Sequence, residues 1–284
     1  MIIGGSKKAV VANIEQSVAT KQFNAKVEVG DPELSPREEQ TLLQDHLVAT
    51  THLNYRFKNV LARSLMRLST DYLNRHTKIV GAENLRHFKG GAIVTSNHFN
   101  PLENTAIRKM VQKVRHRRLY IVSQPTNLKM TGFIGFMMNY DDILPIGHGM
   151  NYMGKTFPNL LASKLQQGNF VLIYPEQEMW FNYRKPRPPK RGAYYYAAKL
   201  QQPILSCFVT MTTEPKMDND EFQQVQYTVH ILPLIYPDPA KSVAANSEAM
   251  MAQDYRQKVA AYEQAYGVKM NPEFQPGDIA GWRG

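Results

Sequence analysis

From residue 77 onward, short apolar runs alternate with stretches in which apolar positions recur every three or four residues. The first pattern suits buried strands and the second suits helices. Strands are expected in "TKIVGAENL", "GAIVTSNH", "RRLYIVSQ", "DDILPIG", "NFVLIYPEQ", "ILSCFVTMT" and "QYTVHILPLI". Helices are expected in "PLENTAIRKMVQKVR", "KTFPNLLASKLQQG", "KRGAYYYAAKLQQP" and "SEAMMAQDYRQKVAAYEQAYG", with Gly168 closing the second. Strands separated by helices imply an α/β fold, a mixed and mainly parallel sheet flanked by helices.

The first 50 residues follow another pattern and read as an N-terminal extension to one domain spanning 51–284. "KVEVGDPEL" brings turn formers and an acidic patch; "SPREEQTLLQDHL" then predicts a helix with Ser35 as N-cap, Pro36 at its first position and Glu38 completing a capping box. Residues 53–76 carry Phe57, Val60, Leu61, Leu65, Leu68 and Leu73 at helical spacing among basic residues. That helix either packs on the core with a basic outer face, or lies in a membrane interface with its basic residues toward anionic headgroups.

Composition narrows the class without choosing a function. The 284 residues are 43% hydrophobic and 20% charged, ordinary for a globular chain with a sizeable core. A net charge of +10 and a pI near 9.5 point to an acidic partner: anionic lipid, an acidic carrier protein, a phosphorylated ligand or nucleic acid. Cys207 is the only cysteine, which excludes an intrachain disulfide and a thiolate cluster and fits a reducing cytosol. The opening residues hold too short an apolar stretch for a signal peptide. Nowhere do about eighteen apolar residues run together, so a cytoplasmic protein, peripheral on the inner face of the cell membrane, is expected.

Chemistry concentrates in two places. "TSNHFNPLENTAIR" runs from a strand into a helix signal, with Asn100 as N-cap candidate, Pro101 at the first helical position and Glu103 where a capping box wants a carboxylate. Capping explains Glu103 but leaves His98 unexplained at the carboxyl end of a strand, the edge where open α/β sheets bind ligands. A carboxylate in the first turn could instead accept a hydrogen bond from one ring nitrogen of His98 and leave the other to take a proton. "NFVLIYPEQEMW" likewise delivers Glu176, Gln177 and Glu178 to a strand's carboxyl end, where a loop glutamate could equally cap the next turn.

Together these stretches resemble the glycerolipid acyltransferase superfamily, whose members acylate lysophosphatidate or glycerol phosphate. Its first block, N-H-x-x-x-x-D with glutamate in one branch, is similar to Asn97–Glu103, and its third block, F-P-E-G-T-R-S, to "YPEQEMW". The resemblance spans residues 55–240 and implies an acyltransferase-type fold and a role in phospholipid biosynthesis and lipid metabolism. It implies no cofactor, only an acyl-CoA or acyl carrier protein thioester as donor and a lysolipid, glycolipid or glycerol-phosphate acceptor. His98 would be the general base and Glu103 its orienting carboxylate, with backbone N–H groups near Glu176 and Gln177 facing the oxyanion. Asn97, Asn100, Glu176, Gln177 and Glu178 would help hold substrate.

Two departures bear on the acceptor. The positions where the family supplies basic residues for the acceptor's phosphate fall on Met179 and Ile146, and the third-block glycine falls on Gln177. Arg184, Lys185 and Arg191, with Arg187 and Lys190, could replace the missing charges; otherwise that run is a solvated loop. Glu178 and Trp180 would instead suit a neutral hydroxyl acceptor, the tryptophan as a stacking face. Met137 and Met138 either line an acyl tunnel or pack the core. No G-x-S-x-G elbow is present, so Cys207 reads as core. No G-x-G-x-x-G or Walker motif follows the first strand. The basic run Arg115–Arg118 carries no aromatic–basic module, so no nucleic-acid partner is expected. The rival reading is a non-catalytic lipid-binding or scaffold protein on the same fold.

Overall fold

A computed structural model of the chain describes residues 6–29, 34–114 and 117–284; the acidic patch at 31–33 and the first half of the Arg115–Arg118 run lie outside the described residues. The sheet has seven strands: β1 (Lys78–Val80), β2 (Ala92–Thr95), β3 (Leu119–Ser123), β4 (Ile143–Pro145), β5 (Phe170–Ile173), β6 (Ile204–Met217) and β7 (Gln223–Ile231). Their spatial order is β1-β7-β6-β2-β5-β3-β4, and every neighbouring pair is parallel except β6 with β7. The mixed, mainly parallel sheet expected from the alternating pattern is present. The run 77–85 is strand only over its first part, after which residues 82–85 wind into a 3₁₀ turn.

Among the described residues eight α-helices accompany the sheet: α1 (Lys8–Ala19), α2 (Pro36–Ala49), α3 (Leu53–Leu73), α4 (Asn104–Val114), α5 (Gly132–Tyr140), α6 (Phe157–Gln166), α7 (Gly192–Lys199) and α8 (Val243–Tyr266). Central β2 is buried along its whole length, because both faces are covered. One face packs Val94 and Leu172 against Ile107 and Met110 of α4; the other packs Ile93 and Val171 against Leu161 of α6 and Ala197 of α7. Such continuous apolar strands are what a two-sided parallel sheet requires. Beneath the carboxyl end of β2, Thr95 donates to Asp254, which also accepts from Tyr194 and from Lys258 at 2.8 Å, tying α7 and α8 to the central strand.

Part of the segment read as an extension packs against the domain in a cluster of its own. Val10, Val11, Ile14 and Val18 of α1 share a buried cluster with Trp180, Phe181, Phe222 and Ile279. One buried cluster thus draws residues from both sides of position 50. The Ser35–Glu38 capping box is present at the head of α2.

α3 is amphipathic with its apolar side turned outward. Its inner face is held by polar contacts: Tyr55 donates to the Asn139 carbonyl, Asn59 to the Tyr140 carbonyl, and Arg63 pairs with Asp142. Phe57, Val60, Leu61 and Leu68 share the opposite face, where Phe57 is 72% and Leu68 68% exposed. A core-packed helix with a basic outer face is thus not what forms. Alongside, α5 adds Phe133 and Ile134, also exposed.

Candidate active site

Register brings the two chemical stretches together. β2 and β5 are adjacent and parallel, with Thr95 opposite Ile173, so the residues following each strand emerge side by side at the carboxyl edge. The emerging segments are stitched by backbone bonds, from Trp180 N–H to the His98 carbonyl (3.0 Å) and from Asn182 N–H to the Phe99 carbonyl (2.8 Å). Asn97 turns back toward β6, donating to the Val209 carbonyl at 3.0 Å and accepting from its N–H at 2.8 Å. Its side chain extends the sheet by one linkage and fixes where His98 begins.

His98 is held on every side but one. Its Nδ1 is hydrogen-bonded to Glu103 Oε1, its ring stacks on Tyr174 with centroids 4.1 Å apart, and its side chain keeps 23% exposure. Nε2 has no partner among the described residues. Glu103 is buried, and its second oxygen accepts the N–H groups of Phe99 and, at 2.8 Å, Asn100. The two roles that compete for Glu103 in the sequence, cap and orienting carboxylate, are filled by its two oxygens at once. The helix begins later than expected: residues 101–103 form a turn, Asn100 Oδ1 accepts from Leu102 N–H, and α4 starts at Asn104. Burial, and then the Glu103 charge, push the Tyr174 hydroxyl well above its ordinary pKa, so it stays protonated beside the imidazole.

Glu176 is the second buried carboxylate. It accepts the His98 N–H at 3.1 Å, the Arg187 N–H at 2.9 Å and Arg187 Nε at 3.1 Å. Arg187 in turn donates to the carbonyls of Phe23, His98 and Glu178 and stacks over Trp180 at 4.4 Å. Burial pulls the Arg187 pKa down, and Glu176 opposes that. Arg187 stood in the sequence as one charge of a loop run; here it is the buried hub joining both chemical segments, and nothing local in the sequence distinguishes it from its neighbours.

The histidine opens on a cavity of about 1030 Å³. Met66, Met137, Met138, Met153 and Phe157 give it apolar lining, and the exposed or half-exposed Gln177, Glu178, Lys190 and Arg191 stand at its rim. Both positions where the resemblance implies basic residues, Ile146 and Met179, line it as apolar side chains.

Several expected ligand residues are placed elsewhere. Arg184 donates to the Gly277 carbonyl at 2.8 Å and to Thr213 at 2.7 Å, and Lys185 is buried against Asp278 at 2.6 Å. Both are tied to the C-terminal segment, off the cavity, and cannot supply its missing charges. Trp180 is fully buried with its Nε1 on the Ala25 carbonyl, so it offers no stacking face to a substrate. Asn97, Asn100 and Glu176 are also buried outside the cavity lining and shape the loops rather than reach into it. The Gln177 N–H is directed at the Tyr174 carbonyl at 3.2 Å, which removes it as an oxyanion donor. Cys207 is fully buried with its thiol pushed up to about 12 by desolvation, which suits a core residue.

Comparison with known proteins adds a match to one family model over part of the chain. Residues 76–210 match the family model described as Acyltransferase, a span that holds His98, Glu103, Glu176 and Arg187. A solved structure, the 1-acyl-sn-glycerophosphate acyltransferase PlsC from Thermotoga maritima, is similar over 83% of this chain and 98% of its own, at 11% identity and a TM-score of 0.49. No curated protein sequence matches the chain.

Proposed function

We propose that this chain, whose residues 76–210 match the acyltransferase family model, moves a fatty acyl group from a thioester donor to a hydroxyl of a lipid acceptor. One observation carries the reading: an imidazole bound at Nδ1 by a buried carboxylate and open at its other edge to a large, mostly apolar cavity. His98 Nε2 takes the acceptor's hydroxyl proton as the oxygen attacks the thioester carbonyl. Glu103 holds the tautomer and stabilises the imidazolium, which returns its proton to the departing thiolate. The methionine-lined wall suits an acyl chain, since flexible thioethers adapt to it. His98→Ala should fold normally and lower turnover at least about a hundredfold; wild-type turnover would remove the mechanism.

The acceptor favoured is a hydroxyl whose nearest group is neutral, as on a glycolipid or a partly deacylated glycerolipid. Met179 and Ile146 support it, because a phosphate monoester wants guanidinium forks where those side chains stand. Glu178 on the rim suits hydroxyls and repels a dianion. Lysophosphatidate remains the second reading through Lys190 and Arg191 on the same rim. Competing the acceptors under one donor decides between them; a clearly higher kcat/KM for lysophosphatidate would reverse the choice.

The substrates are lipids, and the outward face of α3 is the proposed contact with the membrane's inner surface. Among the described residues no helix is long and apolar enough to cross a membrane. The exposed apolar stripe with its arginines is the pattern of a helix lying in the interface plane.

A further inference from the structure

A second concavity, of about 580 Å³, lies between the C-terminal halves of α3 and α4 and the start of β3. It sits at the amino end of β3, the opposite strand end from His98. Among the described residues, seven arginines and lysines line it against two aspartates. Arg63 and Arg118 share Asp142, Lys109 pairs with Asp71, and Arg108 pairs with Asp141 behind the wall at 2.7 Å. Arg67, Lys113 and Arg117 have no carboxylate partner among the described residues. Arg108 is more than nine-tenths buried, and its Nε has no hydrogen-bond partner. The lining therefore includes a buried guanidinium held in place by Asp141 and two backbone carbonyls, not only solvated side chains.

A concave wall with an excess of one sign concentrates field and draws an anion, and arginine forks match phosphate oxygens. Arg67 stands between this cleft and the exposed apolar stripe, next to Leu68. A ligand filling both would carry a phosphate head and hydrocarbon tails. We propose that the cleft is a headgroup site for an anionic phospholipid, holding the phosphate of a lipid in the leaflet that α3 enters. This rests on the membrane contact proposed above. A nucleic acid would have no use for the stripe, and the concavity is shaped for a head rather than a protein surface. Arg108 lines the cleft while Asp141 lines the catalytic cavity, so the ion pair is the partition and a bound headgroup leaves the cavity open.

The test uses the full chain and three variants: Arg67→Gln with Lys113→Gln in the cleft, Lys89→Gln with Lys216→Gln elsewhere on the surface, and Phe57→Ser with Leu68→Ser on the stripe. Flotation is measured with phosphatidylcholine vesicles and with mixed phosphatidylcholine–phosphatidylglycerol vesicles. The wild type should prefer the mixed vesicles, and the cleft variant should lose up to about thirtyfold on them alone, the worth of two basic residues near an anionic surface. The Lys89 and Lys216 variant should lose little; an equal loss would mean diffuse attraction and overturn the site. Titration with inorganic phosphate and glycerol phosphate forms the second arm. Binding of those that the cleft variant abolishes, with vesicle preference unchanged, would make the ligand a soluble phosphate and overturn the headgroup assignment. Equal binding to both vesicles that only the stripe variant weakens would sink the cleft and leave the membrane contact standing. Binding to neither vesicle would remove both.

Discussion

His98 and Glu176 each stand three residues beyond a member of one in-register pair, Thr95 and Ile173, on adjacent parallel strands, and the Glu176 carboxylate accepts the His98 N–H at 3.1 Å. His98 is therefore positioned through its backbone from one strand and through its ring by Glu103 from the helix side. Arg187 closes the arrangement by neutralising Glu176 and holding the His98 carbonyl.

Glu176→Gln should leave Arg187 as an uncompensated buried charge and destabilise the fold by about 3–5 kcal/mol. Where the variant is still folded, turnover should drop on the order of a hundredfold, since a small shift of the histidine suffices. Denaturant titration and turnover on one sample check both. Adding Arg187→Met, which removes the second charge, should recover part of the stability but not the turnover. An active, stable Glu176→Gln enzyme would contradict this account.

For Glu103 the geometry predicts a specific failure. In Glu103→Gln the amide oxygen is retained by the Phe99 and Asn100 N–H groups, which turns the NH₂ toward His98 Nδ1. That nitrogen must then accept, placing the ring proton on Nε2, where the base is needed. Turnover should fall by about 10³–10⁴, the scale of a wrong-tautomer defect. Stability should fall only by about 1–2 kcal/mol, as for a weakened cap. Imidazole ¹⁵N spectra would read the tautomer directly, and an unchanged spectrum with full activity would reject the argument.

Gln177 occupies a backbone with φ of +65°, in the third-block position where the resemblance has glycine. A side chain there costs roughly 1–2 kcal/mol relative to an unstrained conformation, partly offset by glycine's greater freedom when unfolded. Gln177→Gly should therefore be neutral to about 1 kcal/mol stabilising, while the branched Gln177→Val should destabilise. Melting temperatures of the two variants, moving in opposite directions or not, decide this.

What the sequence revealed was local. His98, Glu103 and Glu176 could be picked out because each follows a short apolar run that declares a strand end, and spacing alone brings a carboxylate near the imidazole. α1 went unread because its partners, Trp180, Phe222 and Ile279, lie at least 160 positions further on; only the fold tells that Val10, Val11, Ile14 and Val18 form a packed stripe. Periodicity found the two faces of α3 but not which one points out, since Asn59 and Arg63 find inner partners only when Asp142 is brought beside them. Arg184, Lys185, Arg187 and Arg191 look alike in a loop. One bonds the C-terminal segment, one pairs with Asp278, one with Glu176, and one reaches the cavity rim.

Asp141 gives the protein a pH dependence that can be isolated. Burial raises its carboxyl from an ordinary 3.8 to about 6, with the Arg108 charge only partly opposing. A raised carboxyl keeps its proton in the folded state at a pH where the unfolded chain has released it, so the unfolded state binds fewer protons and stability falls as pH rises. The contribution is fully present below about 3.8 and is lost progressively up to about 6. At about 1.4 kcal/mol per unit, the loss amounts to about 3 kcal/mol. Asp141→Asn cannot titrate there and leaves Arg108 without its charge partner, so its absolute stability will differ from the wild type at every pH. The informative quantity is the difference between the two proteins. From pH 4 to 7, a window that holds most of that loss, the wild type should lose about 2.4 kcal/mol relative to Asp141→Asn, measured by urea unfolding at each pH. A constant difference, or one that grows in favour of the wild type with pH, would mean that the Arg108 pairing outweighs burial and that Asp141 is charged throughout.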